Sequence, residues 1–126
     1  MTLKAIQGDT LSSGELKLYG FNENEQPVGC IELYNYDPIN RRSAVGIVVS
    51  NEFRHQGYGK AMVAELTNFC KHNTSLHQLY ADIAATNAPS IHIFSSAGYQ
   101  HCATLKDWVM RGENYIDTYR FQLILN

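Results

Sequence analysis

Ala44-Val45-Gly46-Ile47-Val48-Val49, continued through Ser50-Asn51-Glu52-Phe53 into Arg54-His55-Gln56-Gly57-Tyr58-Gly59-Lys60, is an apolar run that enters a turn with two glycines. A helical pattern begins at once. Apolar residues recur at Met62, Leu66, Phe69 and Cys70, and Glu65, Asn68 and Lys71 are left for solvent. A strand, a glycine turn and a helix in that order point the turn's backbone N–H groups outward beside a helix N-terminus. Those donors, with the positive end of the helix dipole, form a seat for a phosphate or pyrophosphate. Gly57 and Gly59 remove side chains that would hold an anion at a distance, and Arg54 and Lys60 add positive charge. The segment predicts a phosphate-bearing ligand gripped mainly by backbone.

Spacing excludes the two commonest phosphate loops. A dinucleotide fingerprint needs a third glycine three residues after Gly59, where Met62 stands. A nucleoside-triphosphate loop needs four residues between its glycines and Ser or Thr after its lysine. Here one residue separates the glycines, and Ala61 follows Lys60. What remains is Arg-x-x-Gly-x-Gly on a strand-to-helix turn. Downstream, Leu79-Tyr80-Ala81-Asp82-Ile83-Ala84 reads as a second buried strand. Asn87-Ala88-Pro89-Ser90-Ile91-His92-Ile93-Phe94-Ser95-Ser96-Ala97-Gly98-Tyr99 follows, an Asn opening a short helix that ends at a Gly-aromatic pair.

These two segments resemble the signature motifs of the Gcn5-related N-acetyltransferases. Tyr34-Asn35-Tyr36-Asp37-Pro38, Arg41-Arg42, Leu76-His77-Gln78-Leu79-Tyr80 and Lys106-Asp107-Trp108 resemble the branch that acetylates ribosomal-protein N-termini, spermidine and similar amines. The resemblance covers roughly residues 15–126. It implies a GNAT-like α+β fold: a mixed, mostly antiparallel twisted sheet with a splayed parallel pair at its centre and flanking helices.

Periodicity fits that expectation. Leu16–Phe21 alternates like a strand, Asn22–Glu25 turns, and Val28–Tyr36 returns as its antiparallel partner. Asp37–Asn40 turns the chain into Ser43–Val49, and the helix from Tyr58 to His72 crosses over to Leu79–Ala84, predicting parallel neighbours. Asn87–Ala97 is the second helix with Gly98 at its C-cap, and Tyr99–Leu105 and Tyr115–Leu125 are the last strands. All of 1–126 is one domain, with 1–14 a short edge strand (Thr2–Ile6) or a disordered lead-in. Two helices that wall the acceptor side in relatives do not fit before Leu16, so the chain reads as N-terminally abbreviated.

Acetyl-CoA is the cosubstrate that the resemblance implies. Its pantetheine would pair with Ile47, Val48 and Val49 as an added strand does, and its pyrophosphate would rest on N–H groups from Gln56 through Gly57, Tyr58 and Gly59 to Lys60. Arg54 is a phosphate ligand or a solvated loop cation, and His55 stands near the adenosine phosphates or in solvent. Asn87 bridges the cofactor or serves as N-cap alone, and Ser90 follows one turn later. Relatives carry a Tyr facing the sulfur seven residues after the Asn; here that position is Phe94, beside the hydroxyls of Ser95 and Ser96.

The implied reaction is direct acetyl transfer to a primary amine, which needs a base, a polarised carbonyl and a stabilised thiolate. Glu32 and Asp117 are the candidate bases, with Asp82 and Asp107 behind them and a water chain as the alternative, and Ser95 is the candidate hydroxyl. The alternative is a non-catalytic acyl-CoA-binding or regulatory module, which Phe94 and the short N-terminal side favour.

A net charge of −2 argues against nucleic acid as a partner. Cys30, Cys70 and Cys102 are an odd set without a close pair, which predicts reduced thiols in a cytoplasmic protein. No run is long enough to span a bilayer, so no membrane partner is expected. His55, His72, His77, His92 and His101 show no metal-ligand spacing. Strand edges near the C-terminus predict a homodimer.

Overall fold

The computed structural model describes residues 1–5, 11 and 14–126. Seven strands form one sheet: β1 (Thr2–Ala5), β2 (Leu16–Phe21), β3 (Pro27–Asp37), β4 (Arg42–Val49), β5 (Gln78–Ala84), β6 (Gln100–Arg111) and β7 (Asn114–Ile124). Their order is β1-β2-β3-β4-β5-β7-β6. Two helices, α1 (Tyr58–Asn73) and α2 (Ala88–Ser96), carry the chain into and out of β5.

Among the described residues β4 and β5 are the parallel pair, and each of the other neighbouring pairs is antiparallel. Their pairing is short: Arg42↔Gln78, Ser43↔Leu79 and Ala44↔Tyr80. Beyond Ala44 both strands continue, to Val49 and Ala84, without pairing to each other. On its other side β4 stays paired to β3 as far as Val49↔Gly29. The sheet therefore opens between β4 and β5 while each lip is held from outside. The splayed pair expected from the family resemblance is present.

Strand alternation sorts the side chains. Leu18, Ile31, Leu33, Val45, Leu79, Ala81, Ile83 and Phe121 share one face, and α1 buries Met62, Val63, Leu66 and Cys70 against it. Phe94 of α2 and Tyr99 complete that core, with the Tyr99 hydroxyl 3.0 Å from that of Thr67 on α1. The registers put Glu32, Tyr34, Gly46, Tyr80, Asp82 and Arg120 on the opposite face. Among the described residues no helix covers that second face.

Several expectations shift. Both flanking helices lie on the same face of the sheet. Phe69, placed in the apolar stripe of α1, is 42% exposed, and Val63 is buried instead. The buried stripe of α1 is Met62, Val63, Leu66 and Cys70, which leaves Phe69 on its flank. β6 runs to Arg111, not Leu105, because a register shift between Leu105 and Val109 lets pairing with β7 resume beyond it. α2 ends at Ser96 with Ala97 as C-cap, and Gly98 follows at φ +93°, a left-handed position suited to glycine. The edge strand at the start is present as Thr2–Ala5, paired to β2, while Ile6 lies outside the described residues.

Candidate functional site

The end of β4 enters a 3-10 turn at Asn51–Phe53, and the glycine loop follows. Arg54 folds back so that its Nε donates to the Val49 carbonyl at 3.1 Å, which ties the loop to the strand it leaves. Gln56 Nε2 donates to the Glu52 carbonyl at 3.0 Å. His55 (φ +62°) and Gly57 (φ +85°) take left-handed backbone, and Gly57 caps α1 without a side chain. The first i→i−4 bond of the helix runs from Ala61 N–H to the Gly57 carbonyl, 3.0 Å. The N–H groups of Tyr58, Gly59 and Lys60 stand ahead of it, and no acidic residue sits in that first turn.

Gly59 has a second task. A Cβ there would come within 2.7 Å of Ile93 Cδ1 and 3.4 Å of Val49 Cγ2. Its absence seats the start of α1 between β4 and α2. The three elements enclose a cavity of about 670 Å3, the size range of a cofactor site. Ile47, Val48 and Val49 form one wall, and Phe53, Arg54, His55, Gly57, Tyr58, Gly59 and Lys60 form the loop side. Asn87, Pro89, Ser90, His92, Ile93 and Ser96 close it from α2. Asn87 caps α2, its side-chain oxygen accepting from the Ser90 N–H at 3.3 Å, which leaves its amide donors free of that bond.

Most sequence-predicted binding residues converge here: Ile47, Val48, Val49, Arg54, His55, Gly57, Tyr58, Gly59, Lys60, Asn87 and Ser90. Gln56 does not line the cavity, because its side chain turns back onto the Glu52 carbonyl. Phe94 is also outside it. Its ring is 2% exposed and packs edge-to-face on Tyr99 at 5.1 Å, inside the core. Ser95 is exposed and off the wall, and Ser96 takes the place beside the cavity. The cause is helical phase: burying Phe94 turns the stripe Pro89, His92, Ile93 and Ser96 toward the cavity. Of that stripe the sequence points to Ser96 alone, and it does not point to Pro89, His92, Ile93 or Phe53 as wall residues. Their spacing was legible, but its phase was not.

The candidate acid–base groups lie elsewhere. Glu32 stands on the uncovered face of β3 beside Gly46 of β4. A Cβ added to Gly46 would lie 3.3 Å from Tyr34 Cε1 and 3.4 Å from Glu32 Oε1. The Tyr34 hydroxyl is pushed above its ordinary range by burial first, then by Asp82, Tyr80 and Glu32. Asp82 is bound at both oxygens by Arg120, at 2.8 and 2.9 Å, and that guanidinium sits 4.7 Å over the Tyr80 ring. Asp117 accepts the Asp107 N–H at 2.9 Å and faces Lys106 at 3.4 Å. The Asp107 bond foremost holds its carboxyl below the usual range. Both aspartates are committed to structure, whereas no ion pair or hydrogen bond ties Glu32 among the described residues. Tyr99 is no acid for the cleft either, since burial pushes its phenol up to about 12. No cluster of His, Cys, Asp or Glu suited to a metal occurs among the described residues.

Residues 3–99 match the family model of the Acetyltransferase (GNAT) family, and the chain belongs to that family. It is 27% identical over 82 residues to the L-amino acid N-acetyltransferase AaaT of Escherichia coli (strain K12), covering 63% of this chain and 51% of that one. It is 20% identical over 97 residues to the spermidine N(1)-acetyltransferase of Vibrio cholerae serotype O1, covering 77% and 56%. The chain thus spans about half the length of these curated relatives. A crystal structure of spermidine N-acetyltransferase from Vibrio cholerae in complex with CoA and spermine superposes at a TM-score of 0.85, with 18% identity, over 90% of this chain and 68% of that one. At that identity the likeness establishes the fold.

Proposed function

We propose that this chain transfers an acetyl group directly from acetyl-CoA to a primary amine on a peptide N-terminus, a lysine, a polyamine or a small molecule. The observation that carries the reading is the opening between β4 and β5, with the glycine loop and the start of α1 at its mouth. The free N–H groups of Tyr58, Gly59 and Lys60 suit a pyrophosphate, and the unpaired side of Ile47–Val49 suits the amides of a pantetheine arm. The backbone N–H of Val49, which faces the opening while that of Val48 points to β3, polarises the thioester carbonyl. Asn87 offers its amide donors from the facing helix.

Glu32 is the base best supported, because Asp82 and Asp117 are held by other groups. It lies across Gly46 from the cofactor side, so the amine enters from the uncovered face of the sheet. Phe94, where relatives carry a Tyr, offers no hydroxyl and is buried in the core, so water protonates the departing thiolate. That same absence favours a second reading, an acyl-CoA-binding or regulatory module without turnover. The reading includes a cytoplasmic location and a homodimer. Among the described residues no helix is long and apolar enough to cross a membrane.

Two measurements test it. Coenzyme A at millimolar concentration should raise the melting temperature, since a ligand specific for the native state stabilises it. Thiol release from acetyl-CoA should then depend on an added amine. A melting shift without amine-dependent release would favour the binding module, and no shift would sink both.

A further inference from the structure

On the uncovered face two rows of side chains cross the place where the sheet forks. In the first row Tyr34, Ala44 and Tyr80 stand in register on β3, β4 and β5, and Ala44 is the last residue of β4 that pairs with β5. In the second, Glu32 and Gly46 are in register on β3 and β4, and Asp82 stands on the far lip of the opening, two residues after Tyr80. Tyr34 belongs to the first row by its backbone and to the second by its ring. A Cβ on Gly46 would lie 3.3 Å from Tyr34 Cε1, so the ring leans past the fork over Gly46. The missing side chain leaves it that room.

One end of Tyr34 is fixed and the other is free. Ser43, fully buried, donates from its hydroxyl to the Tyr34 carbonyl at 3.0 Å and pins that backbone to β4. The side chain is half-buried, and among the described residues its hydroxyl has no hydrogen-bond partner. Burial foremost, then Asp82, Tyr80 and Glu32 against the opposing charge of Arg120, raises its pKa and keeps it protonated at neutral pH. A neutral phenol can give one hydrogen bond and accept another. The neighbouring phenols are taken: Tyr80 lies under the Arg120 guanidinium, and the Tyr99 hydroxyl is buried with Thr67.

We propose that Tyr34 holds, at the opening, the water that protonates the departing thiolate, and that it links this water to Glu32. The inference rests on the acetyl-transfer reading. The amine nitrogen forms the C–N bond, the C–S bond breaks with its electron pair passing to sulfur, and the nitrogen's proton goes to Glu32. The water on Tyr34 gives a proton to the sulfur and is made whole by the one that Glu32 holds. An amide and a free thiol result, and the carboxylate is restored. Tyr34 acts on the reacting atoms through water, so it is a positioning residue.

Tyr34→Phe keeps the ring and removes the hydroxyl. Steady-state thiol release should show kcat lower by about tenfold to a hundredfold, with both KM values and the coenzyme A melting shift within about twofold of wild type. A merely structural role would move the KM values or the melting shift instead. The solvent deuterium isotope effect on kcat should grow in this variant, because proton delivery becomes the slower step. Tyr34→Gln, which can still hold a water, should keep more of kcat than Tyr34→Leu of similar size, and this pair decides the matter if Tyr34→Phe misfolds. Equal rates for wild type and Tyr34→Phe would overturn the proposal and leave acetyl transfer standing. So would a slower Tyr34→Phe with an unchanged isotope effect, which would take the hydroxyl out of proton delivery. A wild-type chain that releases no thiol with any amine would overturn the acetyl-transfer reading, and this proposal with it.

Discussion

At the opening between β4 and β5 the sheet has two unlike faces. The side under α1 and α2 is built from backbone: glycine turns, an uncapped helix start and the unpaired side of a strand. The other side is built from side chains, with Glu32, Tyr34, Tyr80, Asp82 and Arg120 gathered from three strands. Backbone donors do not move and do not titrate, so the first face is fixed by main-chain geometry alone. Side chains on the second face compete for one another, and Arg120 has already claimed Asp82. What binds on the first side should depend on loop conformation. What happens on the second should hinge on one or two free groups.

The largest effect should come from Gly57→Val. Its φ of +85° is a left-handed position that a β-branched residue resists, at a cost of about 1–3 kcal/mol. Space is not the obstacle, since nothing lies within 4 Å of a Cβ there. The loop should therefore abandon its turn, and the melting shift given by coenzyme A should vanish. A retained shift would mean that the glycine loop is not the phosphate seat. Gly46→Val makes the opposite incision. Its side chain would press on Tyr34 and Glu32 across the uncovered face. Coenzyme A binding should persist within about twofold while amine-dependent thiol release falls about a hundredfold. Equal loss of both would mean that the two faces are not separable.

Glu32→Gln against Asp117→Asn sharpens the second face further. The first should lower kcat about tenfold to a hundredfold with coenzyme A binding intact. The second should leave kcat nearly unchanged, because Asp117 serves the β6–β7 bulge. Its readout is stability against pH. The folded-state pKa of Asp117 is depressed, so its contribution is present above the unfolded value and lost as pH falls through the folded one. Between about pH 5 and about pH 3 the melting temperature of Asp117→Asn should fall less than that of the wild type. Parallel curves would deny Asp117 that role.

The same contrast explains what could be read from the sequence. Gly57, Gly59 and the strand before them are local, and a local motif carries its geometry within a few residues. The order of strands, the splayed pair and most of the lining of the cavity were legible on that basis. The uncovered face was not, since Glu32, Tyr34 and Asp82 meet only once registers across β3, β4, β5 and β7 are set. Asp117 resembled a catalytic residue by position, but its bond to Asp107 depends on a bulge that alternation does not signal. The phase of α2 was hidden for a similar reason. Its mean apolarity is high on several sides, and only the packing of Phe94 against Tyr99 decides which stripe faces the cavity.

Phe94→Tyr carries the smallest expected change in rate and the sharpest consequence for that phase. Were the ring turned toward the cavity, an added hydroxyl would protonate the departing thiolate and turnover would rise. The ring is instead 2% exposed and lodged edge-on against Tyr99, whose own hydroxyl already has Thr67 as partner. A new phenol at this depth enters a filled core, and one without a partner there costs about 1–3 kcal/mol. Phe94→Tyr should therefore melt several degrees below the wild type, with thiol release unchanged within about twofold. A gain in kcat without loss of stability would turn α2 about its axis, and with it the wall that Pro89, Ile93 and Ser96 present to the cavity.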